Sequence, residues 1–88
     1  MIVVFSKLFS KDLQKITETS IKKEVVKAII DFENAKNLTE FSNIKKMKGH
    51  SESYRMRIGK YRLGFYYDGE IIVLGRFAKQ EDIFKLFP

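Results

Sequence analysis

The residues able to do chemistry are concentrated in one stretch, Tyr54-Arg55-Met56-Arg57-Ile58-Gly59-Lys60-Tyr61-Arg62-Leu63-Gly64-Phe65-Tyr66-Tyr67. Two alternating runs flank Gly59-Lys60, which predicts a β-hairpin closed by a type II′ turn. In that register Ile58 faces Tyr61, Arg57 faces Arg62, Met56 faces Leu63 and Arg55 faces Gly64. One face is then apolar, and the other carries Arg55, Arg57 and Arg62. Directly opposed like charges destabilise a sheet, so folding alone does not account for Arg57 across from Arg62. An anionic partner does, because guanidinium forks held on strands match the paired oxygens of a phosphate. Basic strand faces also serve solubility and edge protection, but lysines would do so with less mutual repulsion.

The rest of the chain offers no competing chemistry. It has no P-loop, no dinucleotide-binding glycine pattern and no Ser-His-Asp set. With no cysteine and a single histidine, neither a metal site nor a cofactor is expected. The acids Asp31, Glu33, Asp68, Glu81 and Asp82 show no paired spacing. A set of arginines and lysines without a metal suits cleavage of RNA by its own 2′-hydroxyl, where the protein positions the phosphate and stabilises added negative charge. Arg62, Arg57 and Arg55 are the candidates for that role. The reaction also needs proton transfer, for which Lys48, His50 and Lys79 are available; histidine is the side-chain type whose charge ordinarily changes near neutrality. The run Lys45-Lys46-Met47-Lys48-Gly49-His50 reads as a basic loop leading into the hairpin. Lys46 and Lys48, with Tyr54, are candidate substrate contacts.

The elements that must position these groups fit one domain spanning residues 1–88, since a chain of 88 residues has material for one core. The net charge of +6 is uneven. Residues 1–44 hold seven lysines and six acids (+1), and residues 45–88 hold ten Lys or Arg and five acids (+5). The apolar start is too short for a signal-peptide core, and no run approaches a membrane span, so a cytoplasmic location is expected.

Ile2-Val3-Val4-Phe5 predicts a short strand buried on both faces, followed by Ser6 as an N-cap. Phe9, Leu13 and Ile16 form the stripe of a helix of about three turns, with Lys11, Asp12 and Lys15 outside it. Thr17, Thr19 and Ser20 supply capping hydroxyls for a second helix, whose stripe is Ile21, Val25, Ala28, Ile29 and Phe32. The short connection predicts an antiparallel helix pair. Residues 37–43 form a polar connector anchored by Leu38, Phe41 and Ile44. Asp68-Gly69 predicts a type I′ hairpin with Phe65 opposite Ile72 and Leu63 opposite Leu74. Glu70 to Phe77 is a strand rich enough in Ile, Val and Leu to be central, and Ala78 to Leu86 gives one or two helical turns. The fold class is α+β: β-α-α-β-β-β with a short C-terminal helix, an antiparallel meander with two helices on one face.

These residues resemble the RelE/ParE superfamily of toxins from type II toxin-antitoxin systems. The resemblance is carried by Phe5-Ser6-Lys7 into Phe9, by Ile44-Lys45-Lys46-Met47-Lys48-Gly49, by Tyr54 through Phe65, and by the ending Arg76-Phe77 through Ile83-Phe84-Lys85-Leu86-Phe87-Pro88. It implies a compact four-stranded sheet with two N-terminal helices and a cognate antitoxin as partner. For RelE-like members it implies cleavage of mRNA in the ribosomal A site, with basic strand residues on the scissile phosphate, here Arg55, Arg57 and above all Arg62. ParE-like members instead inhibit DNA gyrase. Similar chains often end in His-Arg-Lys-Asp/Glu-Ile-Tyr, where this one has Lys79-Gln80-Glu81-Asp82-Ile83-Phe84. The family's arginine falls on Gln80 and its tyrosine on Phe84, and Lys60 stands where an aspartate is usual. The expectation is an mRNA endoribonuclease with Gln80 and Phe84 as altered substrate contacts. The alternatives are a catalytically weakened homologue that binds an antitoxin or nucleic acid, or a gyrase inhibitor.

Overall fold

Alternating hydrophobicity in the second half and helical stripes in the first sort the chain into strands and helices in the expected order. The computed structural model describes all 88 residues. Strand β1 (Ile2–Phe5) leads into helices α1 (Lys7–Gln14) and α2 (Thr19–Asn34), then a 3₁₀ turn (Leu38–Glu40). Strands β2 (Ile44–Lys46), β3 (Ser53–Ile58), β4 (Tyr61–Tyr67) and β5 (Ile71–Lys79) follow, and α3 (Ile83–Leu86) closes the chain. The sheet order is β1-β5-β4-β3-β2, parallel between β1 and β5 and antiparallel elsewhere. This is the expected α+β meander, with five strands in place of four. The addition is β2, which recruits Ile44–Lys46 from the stretch read as a connector and basic loop.

The core lies between the sheet and the first two helices. Phe9 of α1 and Ile21, Val25, Ala28 and Phe32 of α2 pack on Met56, Ile58, Leu63, Phe65, Ile72, Leu74 and Phe77. At about 1.5–3 kcal/mol per large apolar side chain buried, this layer is the main source of stability. No helix is long and apolar enough to cross a membrane.

The β3–β4 hairpin has the predicted register, Arg57 across from Arg62 and Arg55 across from Gly64. Gly59 supplies the left-handed φ of +59° that starts its turn. The β4–β5 register differs from expectation: Phe65 pairs with Leu74 and Leu63 with Phe77. A type I′ turn needs positive φ at Asp68 as well as at Gly69, and of the two only Gly69 has it (+103°). Asp68 instead accepts hydrogen bonds from the backbone N–H groups of Glu70 (2.9 Å) and Ile71 (2.8 Å), which closes a longer loop. A two-residue slip keeps every side chain on its face. A bulge opposite the Gly64/Phe65 step then takes up one further residue.

Three local expectations are also corrected. Strand β1 is an edge strand with Ile2 62% and Val4 45% exposed, because these two residues face the side of the sheet opposite the two helices. Helix α2 begins at Thr19 with Glu18 as its N-cap and receives no side-chain capping hydrogen bond, so the hydroxyls do not cap it. Helix α1 is only eight residues long, and Asp12, expected on its outer face, is buried. Its carboxylate accepts from Arg76 Nε (2.8 Å), Arg76 Nη2 (3.1 Å) and the Phe77 N–H (2.9 Å). The hydrogen bond to Asp12 raises the Arg76 pKa against the opposing effect of burial.

Breaking a buried pair from one side leaves the other charge unmatched, at a typical cost of about 3–5 kcal/mol. Arg76 retains some solvent contact, so Asp12→Ala should lower the unfolding free energy by about 3 kcal/mol. Urea denaturation would show this as a lower midpoint at unchanged slope. A midpoint equal to wild type would mean that the pair does not hold α1 on β5.

Candidate functional site

The sheet face opposite the two-helix layer carries the basic cluster. Alternation along β3 and β4 sends Tyr54, Met56, Ile58, Tyr61, Leu63 and Phe65 to the core side, and Arg55, Arg57 and Arg62 to the other. A cleft of about 230 Å³ is lined by Ser42, Asn43, Lys45, Arg55, Arg57, Arg62, Gln80 and Phe84. It contains four cationic side chains and no carboxylate. A larger groove of about 450 Å³ shares Ser42, Asn43 and Arg57 with it, but runs past Glu24 and Asp31 and is less suited to an anion.

The three arginines are positioned through identifiable neighbours. Arg62 Nη1 donates to the carbonyls of Gly59 (3.1 Å) and Tyr61 (2.8 Å), which draws its side chain toward the turn. Burial lowers its pKa below the ordinary arginine value, and the charges of Arg57 and then Arg55 add to the effect. The guanidinium stays charged at neutral pH, so the shift expresses poor charge compensation rather than readiness to lose a proton. The Arg57 backbone is clamped by Asn43: its N–H donates to the Asn43 carbonyl (2.9 Å), and Asn43 Nδ2 donates to the Arg57 carbonyl (2.9 Å). Arg55 Nη1 approaches Met47 Sδ at 3.6 Å, and its guanidinium carbon lies 5.1 Å from the centroid of the Phe84 ring. That is cation-π range.

Phe84 is 61% exposed, yet α3 that carries it is anchored. Met47, Ile83 and Phe87 are buried together against Ala78, forming a second, small core on this face. Gln80 reaches the rim because its N–H donates to the Lys60 carbonyl (2.9 Å), tying the end of β5 to the hairpin turn.

Of the residues singled out in the sequence, the fold brings Arg55, Arg57, Arg62, Gln80 and Phe84 together at the cleft. It does not bring Tyr54, Lys46, Lys48, His50 or Lys79 there. Tyr54 faces the core side and stacks on Phe65 with ring centroids 5.6 Å apart. Lys46 pairs with Tyr54 in the sheet and shares its face. Lys79 pairs with Tyr61 and likewise lies on the opposite face from Arg62. Lys48 and His50 lie in the exposed turn between β2 and β3, where the His50 N–H donates to the Met47 carbonyl (3.1 Å). Sequence reasoning missed Lys45 and Asn43. Lys45 pairs with Arg55 and so joins the arginine face; strand parity around Ile44 was the signal that could have found it.

No group of three or more His, Cys, Asp or Glu side chains is placed to hold a metal ion. The arrangement can bind and polarise a phosphate through charge-assisted hydrogen bonds and offers an exposed ring beside it.

The family model for the ParE toxin of the type II toxin-antitoxin system parDE matches residues 3–84. Toxin RelE3 of Methanocaldococcus jannaschii is 35% identical over the full length of both chains. Among solved structures, the toxin of the RelB-RelE complex from Methanococcus jannaschii superposes with a TM-score of 0.81 at 32% identity, covering 97% of this chain and 99% of the other. The archaeal RelE-RelB complex from Pyrococcus horikoshii gives a TM-score of 0.72 at 19% identity over 93% and 97% of the two chains, a likeness of fold. The matched length, the identity and the shared architecture together mean that this chain belongs to the RelE/ParE superfamily of toxins from type II toxin-antitoxin systems, on its RelE-like side.

Proposed function

We propose that the chain is an endoribonuclease that cleaves mRNA on the ribosome, and that a cognate antitoxin neutralises it. The observation that carries this reading is the convergence of Arg55, Arg57, Arg62 and Lys45 on a cleft free of carboxylates, beside the exposed Phe84 ring. In the reaction the 2′-oxygen attacks the adjacent phosphorus and the P–O5′ bond breaks, leaving a 2′,3′-cyclic phosphate and a 5′-hydroxyl. Arg62 holds a non-bridging phosphate oxygen. Arg57 and Arg55 stabilise the charge added in the transition state, and Lys45 adds to the local field. A base beside the scissile phosphate can stack on Phe84, with the Gln80 amide at its edge.

The cleft supplies donors but no histidine or carboxylate, and Lys48, His50 and Lys79 lie outside it. Proton transfer is therefore assigned to the surroundings in the ribosomal complex, which accounts for a requirement for the ribosome. A ribosomal target implies a cytoplasmic site of action. The similar RelE chains were solved with RelB, and the partner expected here is a RelB-like antitoxin whose acidic segment covers the arginine face.

A second reading, a binding module with weakened turnover, is favoured by one observation: the two cleft positions where this chain departs from the family pattern carry the amide of Gln80 and a ring without a hydroxyl at Phe84. The readings separate on induction without antitoxin, followed by mapping of RNA 5′ ends. Under the nuclease reading, new ends appear within coding sequences, and Arg62→Ala lowers their rate of formation by about 10²–10³-fold. Purified protein leaves DNA supercoiling by gyrase unchanged. Intact messages with the wild type, but cleavage by the Gln80→Arg, Phe84→Tyr double variant, would give the second reading instead.

The phosphate contact has its own signature in salt dependence. For a single-stranded RNA oligonucleotide, Arg57→Ala should flatten the slope of log K against log salt by about 0.7, one released counterion. An unchanged slope would remove Arg57 from the phosphate contacts.

A further inference from the structure

The seat of Phe87 lies between two glycines on adjacent strands. A Cβ built on Gly64 of β4 would fall 2.6 Å from Phe87 Cδ2 and Cγ, and one built on Gly75 of β5 would fall 2.6 Å from Cε1. Opposite edges of a single ring therefore rest on two neighbouring strands at positions where any side chain would clash. The ring is 3% exposed, lies against Tyr66 with centroids 4.9 Å apart, and is buried together with Met47 and Ile83. Both of these neighbours lead to the cleft. Met47 Sδ is the atom that Arg55 Nη1 approaches from one side, and Ile83 immediately precedes Phe84, whose ring meets the same guanidinium. Arg55 lacks a carboxylate partner, so these two contacts define where its charge sits.

We infer that Phe87 is a positioning residue: seated on Gly64 and Gly75, it fixes α3 and Met47 so that Phe84 and Met47 hold the Arg55 guanidinium in the cleft. Phe87 does not itself line the cleft. The small core around it exists on a face that is otherwise solvated, and α3 is too short, at four residues, to stay formed by its own hydrogen bonds. This inference rests on the nucleic-acid reading for its binding readout only.

The test compares Phe87→Ala, Phe87→Leu, Gly75→Ala and Phe84→Ala. The Arg55 side-chain protons should show a ring-current displacement from Phe84 in wild type and in Phe87→Leu, which keeps the seat filled. The displacement should vanish in Phe87→Ala and Gly75→Ala while the β3–β4 amide resonances stay native-like. Binding of a single-stranded RNA oligonucleotide should weaken about tenfold in Phe84→Ala, and to a similar degree in Phe87→Ala. The Phe84→Ala, Phe87→Ala double variant should be no weaker than either single one, because both remove the same contact. Losses that multiply in the double variant, or an Arg55 displacement that survives both Phe87→Ala and Gly75→Ala, would overturn the inference. If wild-type protein binds no RNA, the proposed function fails, and the Arg55 resonances still decide the role of Phe87.

Discussion

Arg57 stands directly across an antiparallel pair from Arg62, with Arg55 two residues along the same face, and the fold has to hold three like charges there without a carboxylate in the cleft. Opposed like charges cost a sheet up to about 1 kcal/mol; at Arg62 burial lowers the pKa most, and the charges of Arg57 and then Arg55 lower it further. The pairing persists because the other face of the same strands leaves it no alternative. Met56, Ile58, Tyr61, Leu63 and Phe65 are buried in the helix-covered core, so a one-residue slip that relieved the arginines would turn the apolar set of the slipped strand out of that core. The tight turn at Gly59-Lys60 removes slack at the closed end. The Asn43 clamp fixes Arg57 beyond the end of β2, where the ladder stops.

Strand β5 shows the complementary problem. A bulge at Gly75 interrupts its pairing with β4, and β1 stops opposite Leu74, so backbone groups farther along that edge of β5 must find other partners. Both come from the start of the chain. Ser6 Oγ, which accepts from the Phe9 N–H as the α1 cap, donates to the Gly75 carbonyl (2.9 Å), and the Asp12 carboxylate takes the Phe77 N–H. Helix α1 thus repairs the irregular strand while its Phe9 enters the core. The irregularity has a use on the far side, where it allows Gly75 to lie beside Gly64 and form a floor flat enough for the Phe87 ring.

What could be read from the sequence follows from the range over which the deciding physics acts. The β3–β4 register and the α2 stripe were legible because each depends on periodicity within about a dozen residues. The β4–β5 register was not, since alternation cannot reveal a bulge or a loop lengthened by hydrogen bonds to the Asp68 carboxylate. Asp12 itself read as a solvated charge; its partner Arg76 is 64 positions away and lies in no pattern with it. Strand parity explains the lysines. Ile44–Lys46 pairs with β3, which turns Lys45 toward the arginines and Lys46 away, a distinction that a run of lysines in a presumed loop does not contain. Gln80 and Phe84 were found through family resemblance, because neither has a local pattern that marks it.

Gln80 carries a consequence for the cluster as a whole. In the resemblance to RelE-like chains this position corresponds to an arginine, and the fold places Gln80 at the rim of a cleft already holding three arginines and Lys45. A further guanidinium would add a second route for phosphate binding, but in the absence of anion it would also press on Arg62, whose charged form is already disfavoured by burial, Arg57 and Arg55. An amide removes that repulsion and keeps hydrogen-bonding capacity, at the loss of a charged fork. The exchange shifts the face toward stability in the unliganded protein and away from maximal transition-state charge stabilisation. On the proposed nuclease reading, an amide at this position leaves Arg62, Arg57 and Arg55 as the cleft's only guanidinium donors to the phosphate.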